Sequence, residues 1–406
     1  MRVESIETLQ LAEYPNVLWV QVATNEGLVG VGETFFGANA VAAYIHETVA
    51  PYLIGKDPLQ IDRHSRFLLN PFVGFSGSGV ETRGTSAIDV ALWDIFGQFV
   101  GQPIHQLLGG LSRDRIKIYN TCAGYKYIRG SRISQSSANW GLNNNTADGP
   151  YEDLEAFLER ADELAESLLE QGITAMKIWP FDIAAEKTGG LSISATDLKN
   201  ALEPFEKIRR SVGDRIDIMV EFHSLWNTTT AKYLGHALED YRPFWLEDLI
   251  KMNNPAGLAE IRHSVKTPIC ASETIATRPI YRDFMERRAT DIVMLDVSWV
   301  GGLSEAKKIA TMAEAFDLPV APHDCVGPIT MITSIHLALN APNALIQETV
   351  RAFYTGWYKN VLTDMPVFRD GFAYPMTGAG LGTKLNPERF AAADATRRVT
   401  RASDLL

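Results

Sequence analysis

The chain has 406 residues, 46% hydrophobic and 21% charged, the balance of an ordinary globular protein with a buried core and a length suggesting about two to three domains. Its formal charge of −11 leaves no basic excess to neutralise phosphates, which sets nucleic acid aside as a partner. The same charge offers an anionic substrate no long-range attraction, so any capture of an anion has to be local, by a metal, Lys or Arg.

The opening stretch MRVESIETLQLAEYP lacks the unbroken apolar run of a signal peptide, and nothing later approaches the about 18 apolar residues of a membrane span. Cys122, Cys270 and Cys325 stand far apart without paired metal spacing, which fits a reduced cytoplasmic protein with no membrane partner. The glycosylation-like triplet at Asn144 then reads as chance. VLWVQVAT and LVGVGE alternate on either side of NEG and predict a hairpin. Helical patterns follow at 40–50, 61–69 and 84–100, so residues 1–112 read as an α+β unit with its own core.

From about residue 115 one pattern recurs: a short apolar, β-branched run ending in a polar residue, then an amphipathic helical stretch. The runs begin at Arg115, Ile173, Ile216, Pro243, Thr267, Asp291, Leu318 and Ala344. After the second run the starts step by 43, 27, 24, 24, 27 and 26 residues, the regularity of a βα unit repeated around a barrel over 113–350. An open doubly wound sheet is the rival, but no G-x-G-x-x-G follows any run. Between the first two runs, 151–172 has helical apolar spacing at Leu154, Phe157, Leu158, Ala161 and Leu164. The Ser-, Asn- and Gly-rich segment 127–150 is too polar to pack alone and would emerge at the mouth, as a substrate lid or as a plain mobile insertion. The tail from about 351 to 406 shows no helical period and reads as chain packing across both domains.

Residues at the C-terminal ends of barrel strands point into a shared mouth. Read in order these are Lys177, Glu221 and His223, Glu247, Glu273, Asp296, His323 and Glu348. Any one of the three glutamates Glu221, Glu247 and Glu273 could simply cap its strand. Together, from consecutive strands, they would repel one another unless a hard divalent cation such as Mg²⁺ lay among them. Asp296 beside His323 would fix the imidazole's tautomer and raise its basicity, as a general base requires, whereas a lone His would more often be structural. Lys177 could bind a carboxylate, act as a second base, or pair with Glu221. His223, two residues past Glu221, would share its strand face and act as a neighbour of the site or as a general acid. Glu348, if protonated, could donate to a developing oxyanion; a structural role is the alternative. A metal hydrolase with His-x-His on the first strand is excluded, because IYNTCAG holds no histidine.

This constellation, with TNEGLVGVGE, TSAIDVALWDIFGQFVGQPIHQLLGG, WLED, ASET, MLDVSWVGGLSEAKKIA, APHD and IQE, resembles the mandelate racemase–muconate lactonising branch of the enolase superfamily over nearly the whole chain. The resemblance implies a modified (β/α)₇β TIM barrel under an N-terminal α+β capping domain that the tail completes, and a homo-oligomer. It implies one Mg²⁺ per subunit on Glu221, Glu247 and Glu273, a His323–Asp296 dyad, and Glu348 beside the substrate carboxylate, with specificity from loops at 24–38 and 72–79. The shared step is removal of the proton α to a carboxylate, giving an enediolate; this superfamily is itself a stock example of a Lys or His base working beside metal. Three departures stand out. Glu221 replaces the usual Asp, Lys177-Ile178-Trp179 lacks the second Lys of Lys-x-Lys, and His223 stands where some acid-sugar dehydratases carry a His that protonates the departing hydroxyl.

With Trp179 where a base on the second face would stand, although Lys177 could substitute for it, the expectation is β-elimination of water from a polyhydroxy acid to a 2-keto-3-deoxy acid. His323 would take the C2 proton and His223 would protonate the C3 hydroxyl. An epimerase, racemase or cycloisomerase of an acid sugar or its lactone is the alternative within this chemistry. A barrel that binds metal and anion without catalysis is the alternative outside it.

Overall fold

The computed structural model describes residues 1–70, 77–127, 137–142 and 149–405. Most of the expected lid at 127–150, Asn144, and residues 72–76 of one specificity loop lie outside the described residues. The predicted hairpin is present as β2 (Val17–Thr24) and β3 (Val29–Phe35), which pair antiparallel and follow β1 (Val3–Leu11). Alternation buries Ile6, Leu18, Val20 and Val22 on one face, against Val41, Ile45, Ala87, Ala91 and Leu92 of the cap helices. The other face, with Leu9, Val17, Trp19 and Val31, joins the main core of the molecule. The VGVGE glycines have a steric reason: a Cβ at Gly30 or Gly32 would lie 2.0 or 1.8 Å from the carbonyl oxygens of Ala91 and Ala87. β3 can lie directly on helix Val80–Val100 only because those side chains are missing.

The eight predicted runs form β4 (Ile116–Thr121), β5 (Ala175–Ile178), β6 (Asp217–Glu221), β7 (Trp245–Glu247), β8 (Ile269–Ala271), β9 (Ile292–Leu295), β10 (Val320–Pro322) and β11 (Gln347–Thr349). β4 through β10 pair in parallel in that order, and β11 pairs in parallel with β4. Hydrogen bonds between Val320 and the stretch 343–345 join β10 to the last strand and close the ring. Helices follow each strand through β10, giving the (β/α)₇β barrel under an α+β cap that the sequence predicts. Among the described residues no helix is long and apolar enough to cross a membrane.

Two local expectations change. The helical stretch after β4 is broken at Arg160 (φ −140°, ψ 53°) into Asp153–Glu159 and Ala161–Glu170. The tail is more ordered than its composition suggests: it adds short helices and the hairpin β12 (Phe368–Arg369) and β13 (Phe372–Ala373). Its last strand, β14 (Ala395–Arg401), runs antiparallel along β1, from Leu11↔Ala395 to Ser5↔Arg401.

The barrel interior shows how alternation builds a site. Tyr119, Ala175, Met219, Trp245, Met294, Ala321 and Ile346 form one buried layer, the first six on different strands and Ile346 just before β11. Two residues further on, the same inward direction carries Thr121, Lys177, Glu221, Glu247, Asp296, His323 and Glu348. An apolar plug thus lies directly beneath a polar floor. The cap is held over that floor by buried carboxylates that receive backbone N–H groups. Glu33 accepts from Thr330 N at 3.0 Å, Asp89 from Ser304 N at 2.9 Å, and Asp94 from Leu381 N at 2.9 Å.

Candidate active site

Between floor and cap lies a cavity of about 290 Å³, bordered by Lys177, Glu221, Glu273, His223, His323 and Glu348 from the barrel and by Phe36 and Arg83 from the cap. Each of the eight site residues expected from sequence lies on this floor or directly beneath it.

One oxygen from each of Glu221, Glu247 and Glu273 lies within 4.8 Å of the others. Register explains two of them, since Glu221 and Glu247 are paired across β6 and β7. Glu273 arrives from the turn after β8 instead. Burial lifts the Glu221 pKa to about 8, opposed by Glu247 and Lys177. Burial and the Glu221 charge push Glu247 well above the carboxylate range. Burial also works against charging Glu273, yet His323, Lys177 and His223 outweigh it and bring that pKa to about 2. Glu221 Oε1 accepts from the backbone N–H groups of Phe222 (2.9 Å) and His223 (2.5 Å), while its buried Oε2 has no hydrogen-bond partner among the described residues, with Lys177 Nζ 3.7 Å away. An orphaned carboxylate oxygen among three converging acids is the donor set of a hard divalent cation, and the residues present fit Mg²⁺.

Lys177 Nζ is 2.5 Å from Glu247 Oε1, 3.0 Å from Glu348 Oε1 and 3.7 Å from Glu221 Oε2. Burial alone would lower its pKa, but Glu247 and Glu348 drive it well above that of a free Lys. Glu348 also receives the Thr121 hydroxyl on Oε1 and Asp324 N at 3.0 Å on Oε2, so both its oxygens act as acceptors. With His323 Nε2 3.8 Å from Oε2, Glu348 stands between the Lys and the imidazole.

The expected His–Asp contact is present: His323 Nδ1 is 2.6 Å from Asp296 Oδ2. Asp296 Oδ1 is fixed in turn by Ser298 N (2.7 Å) and Oγ (2.6 Å), and the imidazole stacks on Trp299 at 5.5 Å. His323 Nε2 therefore faces the cavity, where it meets Glu273 Oε2 at 2.9 Å. Burial opposes protonation of this ring, but Glu273, Glu348 and Asp296 raise its pKa well above the ordinary value.

His223 reaches the cavity by a different route from the expected one. β6 ends at Glu221, and His223 has φ 47°, so strand alternation does not carry it onto the same face. A left-handed turn does. Its Nδ1 is 2.6 Å from Asp182 Oδ2, and its ring meets Trp179 edge-on at 5.8 Å while remaining 30% exposed to the cavity. Burial disfavours the charged ring; the Asp182 carboxylate outweighs it and raises the His223 pKa. Sequence reasoning missed Asp182, which opens a short helix after β5 and belongs to no strand-end pattern. It also missed Arg83, Trp299 and Thr121. Only Thr121 carried a readable signal, as the polar residue closing the first barrel strand.

Comparison with known proteins agrees with this architecture. Residues 3–109 match the mandelate racemase/muconate lactonizing enzyme N-terminal domain, and 159–389 match the family described as enolase C-terminal domain-like. A crystal structure of an enolase of the mandelate racemase subgroup from Agrobacterium tumefaciens is similar at 50% identity over 100% of both chains, with a TM-score of 0.88. The chain is 30% identical over 397 residues to a D-galactonate dehydratase of Pectobacterium atrosepticum, covering 96% of this chain and 93% of that protein. It is 29% identical over 383 residues to a D-xylonate dehydratase of Haloferax volcanii, covering 93% and 85%. The chain belongs to the mandelate racemase/muconate lactonizing enzyme family of the enolase superfamily.

Proposed function

We propose that the protein is a hydro-lyase that dehydrates an acid sugar to a 2-keto-3-deoxy acid with one Mg²⁺ held by Glu221, Glu247 and Glu273. The observation that carries this reading is a pair of imidazoles bordering one cavity, each backed by its own carboxylate at 2.6 Å. Elimination needs a base for the C2 proton and an acid for the departing hydroxyl, and two independently oriented imidazoles answer that need. The dehydratase names of the galactonate and xylonate relatives support the same reaction class.

In this mechanism His323, oriented through Nδ1 by Asp296, takes the C2 proton at Nε2. When bound, the metal supplies charge stabilisation for the carboxylate as negative charge develops on it. Lys177, steadied by Glu348, contributes a fixed positive charge beside that carboxylate. His223, oriented by Asp182, donates its proton to the C3 hydroxyl as the bond to oxygen breaks, so water leaves and the enol product becomes the keto acid. Trp179, next to Lys177-Ile178, leaves no second Lys at the usual place for the opposite face. Lys177 itself is engaged by three carboxylates. Both features favour one-base elimination over racemisation. The working division into a cap of 1–112 completed by 351–406, and a barrel of 113–350, is supported by the pairing of β14 with β1.

The test is product analysis with Mg²⁺ and a stereochemically complete panel of aldonic and aldaric acids in D₂O. Loss of water to a 2-keto-3-deoxy acid is expected, and His323→Asn should abolish turnover while Mg²⁺ still binds. Deuterium at C2 without loss of water would point to an epimerase, and a fully active His323→Asn enzyme would refute the base assignment.

A further inference from the structure

Two permanently cationic side chains border the cavity among the described residues. Lys177 is fully engaged by three carboxylates. Arg83, on the first turn of helix Val80–Val100, has no side-chain hydrogen bond or ion pair among the described residues, and its Nε is buried without a partner. Its guanidinium lies 5.4 Å from the Phe36 ring and 5.6 Å from the Trp299 ring. Phe36 holds φ 72°, a left-handed conformation that bulky residues adopt rarely, so its ring is placed here at a backbone cost. Asp296 and Glu81 are the acids within electrostatic reach, but neither hydrogen-bonds the guanidinium: the Asp296 oxygens already serve His323 and Ser298, and Glu81 accepts from Gly79 N at 3.3 Å. Burial accordingly lowers the Arg83 pKa.

A half-buried guanidinium near two aromatic rings, with its Nε–H buried and unpaired, lacks the acceptor that such groups ordinarily have. A hydroxyl would fill the space without meeting the charge. A carboxylate would meet both the charge and the planar fork of donors. No second cation stands beside Arg83 among the described residues bordering the cavity, which favours a single carboxylate over a phosphate. Trp299 stacks on His323 at 5.5 Å and has the Arg83 guanidinium over its ring at 5.6 Å, so the guanidinium and the imidazole share one indole as a neighbour. A shared indole neighbour keeps both groups within reach of one short polyhydroxy chain.

We propose that Arg83 receives the far end of the substrate and that this end is a carboxylate, making the substrate class an aldaric diacid rather than an aldonic monoacid. The proposal rests on the dehydration reading above for what happens at the near end. The chain's charge of −11 makes such a local receptor necessary, since nothing at long range draws a dianion in.

The kinetic test compares hexaric with hexonic acids of matched configuration, with Mg²⁺ present, in the wild type, Arg83→Met and Arg83→Lys. The wild type is expected to favour the diacids in kcat/KM by about tenfold or more. Arg83→Met, which keeps the length of the stem against Phe36 and Trp299, should cut that ratio by about ten- to a hundredfold, and Arg83→Lys should retain part of it. A wild type without diacid preference, or an unchanged ratio in Arg83→Met, overturns the proposal. Calorimetry decides the case without turnover, using adipate and its half-amide adipamate as probes with the Mg²⁺-loaded enzyme. Arg83→Met should weaken adipate at least about tenfold more than adipamate; equal losses overturn the proposal. Absence of elimination from every acid, with adipate still bound through Arg83, would sink the dehydration reading instead.

Discussion

Replacing Asp182 with Asn isolates the role given to His223. The carboxylate sits 2.6 Å from His223 Nδ1, and its other oxygen is buried without a partner, so among the described residues the imidazole is its sole hydrogen-bond partner. A hydrogen bond to a charged group contributes about 1.5–3 kcal/mol, and each about 1.4 kcal/mol is tenfold in rate. The ring is 30% exposed, so solvent screens part of this, and a loss of elimination rate of about ten- to thirtyfold is expected. His223→Asn should lose more, about a hundredfold or beyond, as general acids do. Because Asp182 acts through His223, the double variant should be no slower than His223→Asn alone. The assay follows two events in D₂O: loss of water, by product formation, and exchange of the C2 hydrogen in recovered substrate. His323 and its Asp296 remain intact, so exchange should persist and its ratio to elimination should rise in both variants. Parallel loss of exchange and elimination would refute the division of labour, and additive losses in the double variant would refute the Asp182–His223 coupling.

Glu221→Gln keeps an acceptor for the two backbone N–H groups but removes the charge from the orphaned Oε2. Added Mg²⁺ should raise the melting temperature of the wild type by mass action and leave that of the variant nearly unchanged; an equal rise in both would remove Glu221 from the ligand set. A pH effect on stability is expected at His336, buried where the barrel meets the tail and held at a pKa of about 3 by burial and by His105. Its Nε2 donates to Leu381 O at 3.3 Å, which leaves Nδ1 as an acceptor for His105 at 3.1 Å and fixes the neutral form. Since the folded pKa lies below the unfolded value of about 6.5, this stabilisation is complete above pH about 6.5 and is lost as pH falls toward about 3. At pH 5 the loss is about 2 kcal/mol. Urea midpoints of the wild type and His336→Gln should therefore diverge at pH 7.5 and converge toward pH 5, whereas parallel pH profiles would exclude His336 as the source.

The parts of the fold and site that were legible in the sequence are those that a two-residue period writes. Barrel strands alternate an apolar plug with a polar floor, so Met219 and Glu221, or Trp245 and Glu247, can be read as a pair. Where the period ends, so does legibility. Glu273 is legible as the polar end of a strand-like run and His223 through its two-residue spacing from Glu221, yet each enters through a turn whose dihedral angles no hydropathy pattern encodes. Asp182 is one acid among 49 Asp and Glu residues, and only the fold brings it to His223. β14 escaped notice because ATRRVTR is an edge strand with mostly exposed, charged positions, so its pairing along β1 rests on backbone bonds and on pairs such as Arg397–Glu7. Helix Val80–Val100 was expected, but its first turn gives no sign that Arg83 faces a cavity made largely by another domain.

That last point bears on how such a molecule changes specificity without losing its chemistry. His323 and His223, the groups given the two proton transfers above, follow barrel strands β10 and β6, and each is braced by a carboxylate within the barrel, Asp296 and Asp182. The groups facing them come from the cap, and the cap is fixed by a few deeply buried acids. Burial lifts Glu33 and Asp89 to pKa values of about 7 and Asp94 to about 6, and each is opposed by backbone donors from the barrel or the tail. Such contacts are directional and specify one docked geometry, since a shift of the cap would strand a buried carboxylate without its N–H. Phe36 and Arg83 lie outside that bracing. Substitution at either can therefore alter what the cavity accepts at its far end while His323, His223 and the three glutamates keep their positions.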